Sequence, residues 1–328
     1  MSQKELTSLA KQIYGSSDKR VKELQSMYRA TQIEIEGIIS NFISDDDNWN
    51  VQAPKRLKMQ LMDELKQMYK SADNADQSLI AVTMTNRVLS TIGDAVKISA
   101  GIALLELAHK RRIQLANTLE AIPQQVRSAG YDKASRQTDK HFKKINGKLP
   151  NPTEHEYELA RRYPAKYHKV LAQNSVSKMV QKFGSGIDTN EAINRNTVAM
   201  MNKVNELVDR IDTRHIKPQE YSHDLAKIFT GSNSPNRGAV YNAERLLRTE
   251  SAYTFANSLK DDFKKRKVKY FTNVSIRGRN TCKFCERMDG KTFKVSDMQA
   301  GVNCAPFHPN CQCEIIEATK EDIENMSL

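Results

Sequence analysis

The sequence predicts a mainly α protein, in which a long helical N-terminal body precedes a small α+β module at the C-terminus. Three observations support this fold class: apolar residues recur at helical spacing, glycine and proline number only 13 and 9, and all five cysteines lie in one short segment near the end of the 328-residue chain. Helical periodicity with few chain breakers is typical of long amphipathic helices. A chain of this length buries a sufficient core by itself, so the crowded cysteines serve a local need.

Residues 1–150 form the first predicted region and carry helical periodicity. The segment SDDDNWNVQAPK (44–55) has an acidic run and a proline, and it predicts a loop between two helices. The most apolar run is interrupted by Lys97 and Glu106. It is shorter than the roughly 20 apolar residues of a spanning helix, so we expect no membrane segment. The apolar stripes of this region are Leu57, Leu61, Met62, Leu65, Met68 and Tyr69, and then Leu104, Leu105, Ala108, Leu115, Ala116 and Leu119.

Residues 151–238 form a second predicted helical region. An Asn-Gly pair and two prolines in KINGKLPNP separate it from the first region. Thr153 followed by Glu156 has the spacing of a capping box, which favours a helix start at this point. The stretch TGSNSPNRG (230–238) is rich in glycine, serine, proline and asparagine. We therefore place the main domain boundary there.

Residues 239–318 form the C-terminal module, in which helix and strand patterns alternate, and residues 319–328 form an acidic tail. One helix is predicted over 239–266. The segment VKYFTNVSI alternates and predicts a strand, with Val268, Tyr270, Val274 and Ile276 on one side. Asp289-Gly290 predicts a tight hairpin turn, and CQCEII (311–316) predicts another strand. The apolar face of the helix consists of Ala243, Leu246, Leu247, Ala252, Phe255, Ala256 and Leu259.

The spacing of cysteine and histidine in this module predicts a zinc site. A Cys-x2-Cys turn directs two thiolates at one ion, and a second turn with histidine and cysteine completes a tetrahedral shell. We predict zinc bound by Cys282, Cys285, His308 and Cys311, with Cys313 as the alternative for the last position. Four protein ligands leave no position open for a substrate, so we expect a structural ion and no enzymatic activity.

Other uses of the cysteines are less favoured. Disulfides are typical of oxidising compartments, whereas the N-terminal residues MSQKELTSLAKQIYGSSDK lack the apolar segment of a secretory signal. A redox Cys-x2-Cys motif opens a helix after a strand, and a hairpin turn is predicted here instead. A zinc deaminase requires a proline before its Cys-x2-Cys, where this chain has Thr281.

The formal net charge of +12 is concentrated in two parts of the chain. Residues 101–150 carry ten basic and four acidic side chains, and residues 251–300 carry twelve and five. Such asymmetry indicates contact with nucleic acid or with an acidic protein surface. The alternative is a set of solvated helix faces with surplus lysine.

Four short elements follow one another in the C-terminal module. They are Arg248-Thr249-Glu250, Cys282-x2-Cys285, Asp289-Gly290 and His308-Pro309-Asn310-Cys311-x-Cys313. In this order they resemble the C-terminal module of the Mu F-like phage minor head proteins, a head-morphogenesis family of tailed bacteriophages. The resemblance extends from Ala243 to about Ile316. Gln312 and Phe307 depart mildly from the family pattern, which often has arginine at the first position and proline or leucine at the second.

The resemblance implies a low-copy structural protein that associates with the portal during procapsid assembly in the host cytoplasm and remains inside the virion head. Scaffold and major capsid proteins are further implied partners. Some relatives bind DNA and influence its packaging or ejection, so we expect non-specific contact with phage DNA. Candidate phosphate contacts are Lys264, Lys265, Arg266, Lys267, Arg277 and Arg279. We expect structural roles for Arg248 and Glu250, as a pair or as caps of the zinc unit, and for Gly290 in its turn.

Two further functions stay open. One is a zinc-ribbon nucleic-acid-binding module carried on a helical oligomerisation domain. The other is an HNH-like nuclease, which requires a free histidine beside a divalent ion on a ββα element. The nuclease is less favoured because His308 is assigned to zinc and a strand is predicted after it.

Overall fold

The computed structural model describes residues 3–42, 49–85, 89–142, 184–186, 188–214, 218–231, 238–275 and 281–326. The predicted fold class is confirmed, since the chain is mainly helical with a small C-terminal region that contains strands. The helices are α1 (Gln3–Phe42), α2 (Lys55–Ser71), α3 (Asn74–Thr85), α4 (Ile92–Phe142), α5 (Thr189–Arg214), α6 (Pro218–Thr230), α7 (Ala239–Lys265), α8 (Lys283–Met288) and α9 (Lys320–Asn325). The strands are β1 (Tyr270–Val274), β2 (Thr292–Lys294) and β3 (Glu314–Glu317). No helix in these ranges is both long and apolar enough to cross a membrane.

The chain divides into two compact units, each built from separate parts of the sequence. The first unit is formed by the described residues within Met1–Arg20, Leu115–Ile187 and Arg245–Leu328. The second is formed by those within Val21–Gln114 and Asp188–Glu244. These units are defined by contacts between residues that are distant in sequence. They do not test the predicted division of the chain into consecutive regions, and that division stays a prediction.

The second unit is a helical assembly with an apolar interior. The ring of Tyr28 meets that of Phe229 edge to face, with 6.1 Å between centroids, and the Arg111 guanidinium lies over the Tyr28 ring. Before α2, Trp49 Nε1 donates a hydrogen bond to the carbonyl oxygen of Phe42 at the end of α1, at 2.9 Å. Buried residues of this unit include Tyr28, Ile35, Ile39, Leu65, Leu79, Leu207, Leu225 and Phe229.

The first unit has a core shared by the chain's two ends. The start of α1 and the middle of α4 pack against α7 and the sheet in one continuous cluster. Each of the large apolar side chains that is fully buried there contributes roughly 1.5–3 kcal/mol. The cluster includes Leu6, Leu9, Ile13, Ile122, Val126, Phe255, Leu259, Phe263, Phe271, Val295, Met298, Ile315 and Ile316.

The sheet of the first unit is antiparallel, with strand order β2-β1-β3. Phe271 lies opposite Phe293, and Thr272 lies opposite Thr292, whose hydroxyl is 2.9 Å from its own. Both faces of β1 carry buried side chains, Phe271 on one and Thr272 on the other, because β1 is the central strand. Tyr270 and Val274, on the side that the sequence predicts, are half-buried.

Candidate metal centre

The first half of the centre is the start of helix α8. Cys282 is the N-cap residue, and its sulfur accepts a hydrogen bond from the backbone amide of Cys285 at 3.4 Å. This amide lowers the pKa of Cys282, because it stabilises the thiolate. Cys285 is buried one turn later. The helix start therefore directs both sulfurs toward one region of space.

The turn after this helix corrects one sequence prediction. Asp289-Gly290 does not join two strands; it connects α8 to β2. Gly290 has a φ of 73°, in the left-handed region that glycine adopts without strain, and its amide donates to the carbonyl oxygen of Asn273 at 2.8 Å. The Cys-x2-Cys does open a helix, so the expected hairpin, which disfavoured a redox motif, is wrong. The residues around the helix start are what favour a metal.

The second half of the centre is the turn from His308 to Cys313. The amide of Cys311 donates to the carbonyl oxygen of His308 at 3.0 Å, and Asn310 has a φ of 63°. The Nδ1 atom of His308 lies 2.9 Å from the carbonyl oxygen of Pro309, which can only accept. Nδ1 is therefore the protonated nitrogen, and Nε2 keeps the lone pair that a metal requires.

The predicted ligands come together in two overlapping groups. The ligand atoms of Cys282, Cys285 and His308 all lie within 4.8 Å of one another, and so do those of Cys285, Cys311 and Cys313. Cys285 belongs to both groups. All the cysteines are free thiols. Each group could therefore hold a metal ion, and which four residues bind it stays a prediction.

The distances fit tetrahedral coordination. Two sulfurs each about 2.3 Å from a tetrahedral zinc ion are about 3.8 Å apart. The sulfurs of Cys285 and Cys311 are 3.8 Å apart, and the Cys285 sulfur is 3.3 Å from Nε2 of His308. Cys285 and Cys311 are buried, so little reorganisation is required to close a shell around an ion.

Among the buried cysteines of the cluster, protein groups alone favour the thiolate of Cys311. The pKa of Cys311 is lowered to about 5, because the Cys313 thiol donates to its sulfur and His308 lies nearby, although burial opposes the shift. Burial and the charge of Cys311 raise the pKa of Cys285 to about 12. The pKa of Cys313 is raised because its thiol donates to Cys311 and because it is buried. Metals bind thiolates, so a divalent cation would supply the charge that deprotonates the remaining thiols.

Three residues that the sequence analysis did not select support the centre. The hydroxyl of Thr249 on α7 accepts a hydrogen bond from the amide of Asn310 at 3.3 Å. The hydroxyl of Tyr14 on α1 donates to the carbonyl oxygen of Cys313 at 3.1 Å. Thr249 lies inside the Arg248-Thr249-Glu250 motif, and this position could have identified it from the sequence.

The third supporting residue is Asn273, which is buried in β1. Its amide nitrogen donates to the carbonyl oxygen of Asn303 at 2.9 Å, and its amide oxygen accepts from the backbone of Ala305 at 3.2 Å. Both ends of the side chain therefore hold the segment that leads into His308. A buried amide with two partners is stabilising, whereas one without them would be costly.

Arg248 and Glu250 lie on α7 but have separate partners. The Arg248 guanidinium contacts Asp18 at 3.2 and 3.3 Å. Glu250 is fully buried, and its carboxylate accepts from the backbone amide of Ser185 at 3.0 Å and from its hydroxyl. Burial raises the pKa of Glu250, although both donors of Ser185 oppose the shift. These contacts tie α7 to α1 and to residues 184–186, and Thr249 between them makes the contact with the histidine turn.

Aromatic side chains lie beside the cluster, and the fifth cysteine lies apart from it. The rings of Phe284 and Phe307 meet edge to face with 5.2 Å between centroids, and the Arg287 guanidinium lies over Phe284. Phe307 packs against the buried cysteines. Cys304 belongs to the apolar core of the first unit instead, and its thiol donates to the carbonyl oxygen of Ala305 at 3.0 Å.

The candidate phosphate contacts are not equivalent. Lys264, Lys265 and Lys267 are exposed at the end of α7. The Arg266 guanidinium, in contrast, pairs with Asp262 at 2.7 Å and with Glu317. Burial alone would lower the pKa of Arg266, but the two carboxylates outweigh it and raise the pKa. Arg266 therefore serves a structural ion pair, and the three lysines remain as candidates. Arg277 and Arg279 lie outside the described residues.

Comparison with known proteins bears on the C-terminal part of the chain. Residues 202–316 match the family model described as phage Mu protein F like protein. The match confirms the resemblance, begins within α5 and includes every residue of the metal centre. No curated protein and no solved structure shows significant similarity to the chain. The matched family suggests a phage head morphogenesis protein.

Proposed function

We propose that the protein is a minor head protein of a tailed bacteriophage. The observation that supports this most strongly is that the family match at residues 202–316 covers a cluster of cysteine and histidine with the geometry of a structural metal site. The protein assembles with other head components in the infected cell and remains inside the virion. Its role is structural rather than enzymatic.

The ion in the centre is Zn²⁺, and its role is to stabilise the fold. Cys282, Cys285, His308 and Cys311 are the proposed ligands, with Cys313 as the alternative. Sulfur and imidazole ligands at tetrahedral distances favour zinc over magnesium or calcium, which prefer oxygen. A structural zinc contributes roughly 10 kcal/mol or more to the folding of small zinc-binding peptides. The strands of the module are only three to five residues long, so the ion would add to the stability that the shared apolar core provides.

The portal vertex is the proposed site of attachment, and scaffold and major capsid protein are further candidate partners. This part of the proposal depends on the family resemblance. The helices of the second unit are the candidate contact surface, because Ile33 and Met59 each expose 57% of their surface there. Both are large apolar side chains that a partner could cover.

Non-specific binding of phage DNA is the second part of the proposed role. Lys264, Lys265 and Lys267 are exposed next to one another, and the chain has a net charge of +12. Contacts from lysine to phosphate give affinity without base recognition. The protein would then lie between the portal and the packaged genome.

A nuclease is less favoured than this role. Catalysis by an HNH-like enzyme requires a histidine that is free to act on water or phosphate. Both ring nitrogens of His308 have close neighbours, Nδ1 with the Pro309 carbonyl and Nε2 with the Cys285 sulfur. A simple zinc-ribbon nucleic-acid-binding protein remains the main alternative.

Mass spectrometry of purified phage particles tests the proposal directly. DNA-filled virions are compared with ghosts that have ejected their genomes, and peptides of this chain are quantified against those of the portal protein. We expect low-copy presence in full heads. Loss from the ghosts would indicate that the protein also leaves the head with the DNA. Absence from both kinds of particle would refute the proposed virion role.

A further inference from the structure

The hydroxyl of Thr249 on α7 has two hydrogen-bond partners, and their chemistry fixes the direction of each bond. The hydroxyl oxygen lies 2.6 Å from the carbonyl oxygen of Arg245, one turn earlier in the helix. A carbonyl oxygen can only accept, so the single hydroxyl proton is directed at Arg245. The lone pairs are left for the second partner, the backbone amide of Asn310 at 3.3 Å. Thr249 is therefore the acceptor for Asn310.

Asn310 lies between two of the proposed ligands, His308 and Cys311, in a conformation that requires support. Its φ of 63° is in the left-handed region, which is unfavourable for residues other than glycine, although asparagine tolerates it better than most. The side-chain oxygen of Asn310 is buried and has no hydrogen-bond partner among the described residues. The bond that holds Asn310 to the rest of the fold is consequently the one from its backbone amide to Thr249.

The neighbouring amides of this turn do not replace that bond. Pro309 has no amide proton. The amide of Cys311 donates to the carbonyl oxygen of His308, within the turn itself. Thr249 is only 8% exposed, so water has little access to take the place of its hydroxyl. The turn that carries two ligands is therefore connected to α7 through this hydroxyl.

We propose that Thr249 is a positioning residue for the metal centre. Its hydroxyl holds Asn310 in the left-handed conformation that directs His308 and Cys311 toward the ion, and it thereby sets the affinity for the metal. This inference rests on the proposed function, in which zinc occupies the centre, and it adds a residue that does not touch the ion. Replacement of such outer residues typically weakens metal binding by roughly 10- to 100-fold.

The experiment measures the zinc Kd of the full chain by competition with a chelator of known affinity. Thr249→Val keeps the shape of the side chain but removes the acceptor, so we expect zinc to bind roughly 10- to 100-fold more weakly. Thr249→Ser keeps the hydroxyl and is expected to retain the original affinity. Thr254→Val is the matched control on the same helix. Thr254 is also buried, but its hydroxyl has no hydrogen-bond partner among the described residues, so its loss should leave the affinity unchanged.

Absorption spectroscopy of the cobalt-loaded protein gives a second readout. The d–d bands report the arrangement of the ligands, so they should change in Thr249→Val and stay unchanged if Thr249 only stabilises α7. If Thr249→Val does not fold, Thr249→Ala is compared with Thr249→Ser, and weaker zinc binding is expected for alanine.

Equal zinc affinity in the unsubstituted protein and in the folded variant without the hydroxyl would overturn the inference and leave the zinc centre standing. If the unsubstituted protein binds no zinc, the proposed ion is refuted and the inference fails with it. The presence of the protein in virions is decided separately by mass spectrometry.

Discussion

The hydroxyl of Tyr14 donates a hydrogen bond to the carbonyl oxygen of Cys313 at 3.1 Å, although 299 positions separate the two residues in sequence. Tyr14 is held in place by Phe255, whose ring it meets edge to face at 6.0 Å between centroids. The first helix of the chain thus contacts the last cysteine of the metal centre directly. The centre is consequently held by residues from both ends of the chain.

Replacement of Tyr14 by phenylalanine tests this contact. The ring and its packing remain, but the carbonyl of Cys313 loses its donor. An unsatisfied buried acceptor costs roughly 1–3 kcal/mol, so we expect the free energy of unfolding to fall by about this amount. Chemical denaturation followed by circular dichroism measures it. Tyr69→Phe is the matched control, because Tyr69 is exposed on α2, and an equal loss there would show that the effect is not specific to the Cys313 contact.

Replacement of Cys285 by serine tests the metal centre. Cys285 belongs to both groups of candidate ligands, so its loss disrupts either choice of four. We expect the metal content, measured by inductively coupled plasma mass spectrometry, to fall from one zinc per chain to none. Protease sensitivity is expected to appear between residues 281 and 313, while the second unit stays resistant.

Cys304→Ala is the matched control for this variant. Cys304 lies in the apolar core rather than in either group of ligands, so the variant is expected to keep one zinc per chain. Full metal content in Cys285→Ser, or loss of metal in a folded Cys304→Ala, would contradict the assignment of the ligands.

The sequence was sufficient for those features that depend on local spacing. The stripes of apolar residues predicted long helices, and the distances along the chain from Cys282 to Cys313 predicted the residues that meet in the centre. Helical period and ligand spacing leave a pattern within a few residues, because neighbouring turns must present the same face. For this reason the fold class and the candidate ligands could be predicted without coordinates.

Contacts between distant residues left no such pattern. Nothing near Tyr14 or Asn273 indicates that their side chains hold the segments around the metal centre. In the sequence alone, Arg266 is one more basic residue in KKRK. Its ion pair with Glu317 on β3 is evident only from the structure. The two-residue signal at Asp289-Gly290 predicted a turn correctly but a hairpin wrongly, because the preceding residues cap a short helix around Cys282.

Replacement of Glu250 by glutamine is expected to change the pH dependence of stability. Burial raises the folded-state pKa of this carboxyl above its usual value of 4.5. The protonated form is therefore favoured in the folded state, so this group contributes stability below the unfolded pKa and loses it as the pH rises through the folded pKa. Glutamine cannot ionise. The difference in unfolding free energy between variant and original protein should therefore shift in favour of the variant from pH 4 to pH 7.

The measurement compares two proteins at each pH, so the titration of other groups, including the thiols, cancels to first order. Glu244→Gln is a suitable control because Glu244 accepts a hydrogen bond from Gln25 in an exposed position. A difference that stays constant with pH for Glu250→Gln would contradict the role of its buried carboxyl.

Replacement of Asp76 by alanine tests the buried ion pair of the second unit. Asp76 pairs with Arg112, and both side chains are nearly inaccessible to solvent. Burial lowers the pKa of Arg112 to about 10, which still leaves it charged at neutral pH. Removal of the carboxylate leaves a buried charge without its partner, and this costs roughly 3–5 kcal/mol.

Asp209→Ala is the matched control, because Asp209 pairs with Lys97 but is itself mostly exposed. Exposed pairs contribute about 1 kcal/mol or less, so we expect a small change in the free energy of unfolding. A similar loss in the two variants would mean that water reaches Arg112 when Asp76 is absent. A large loss in Asp76→Ala alone would establish that the guanidinium depends on this carboxylate, and that the nearby charge of Asp73 does not replace it.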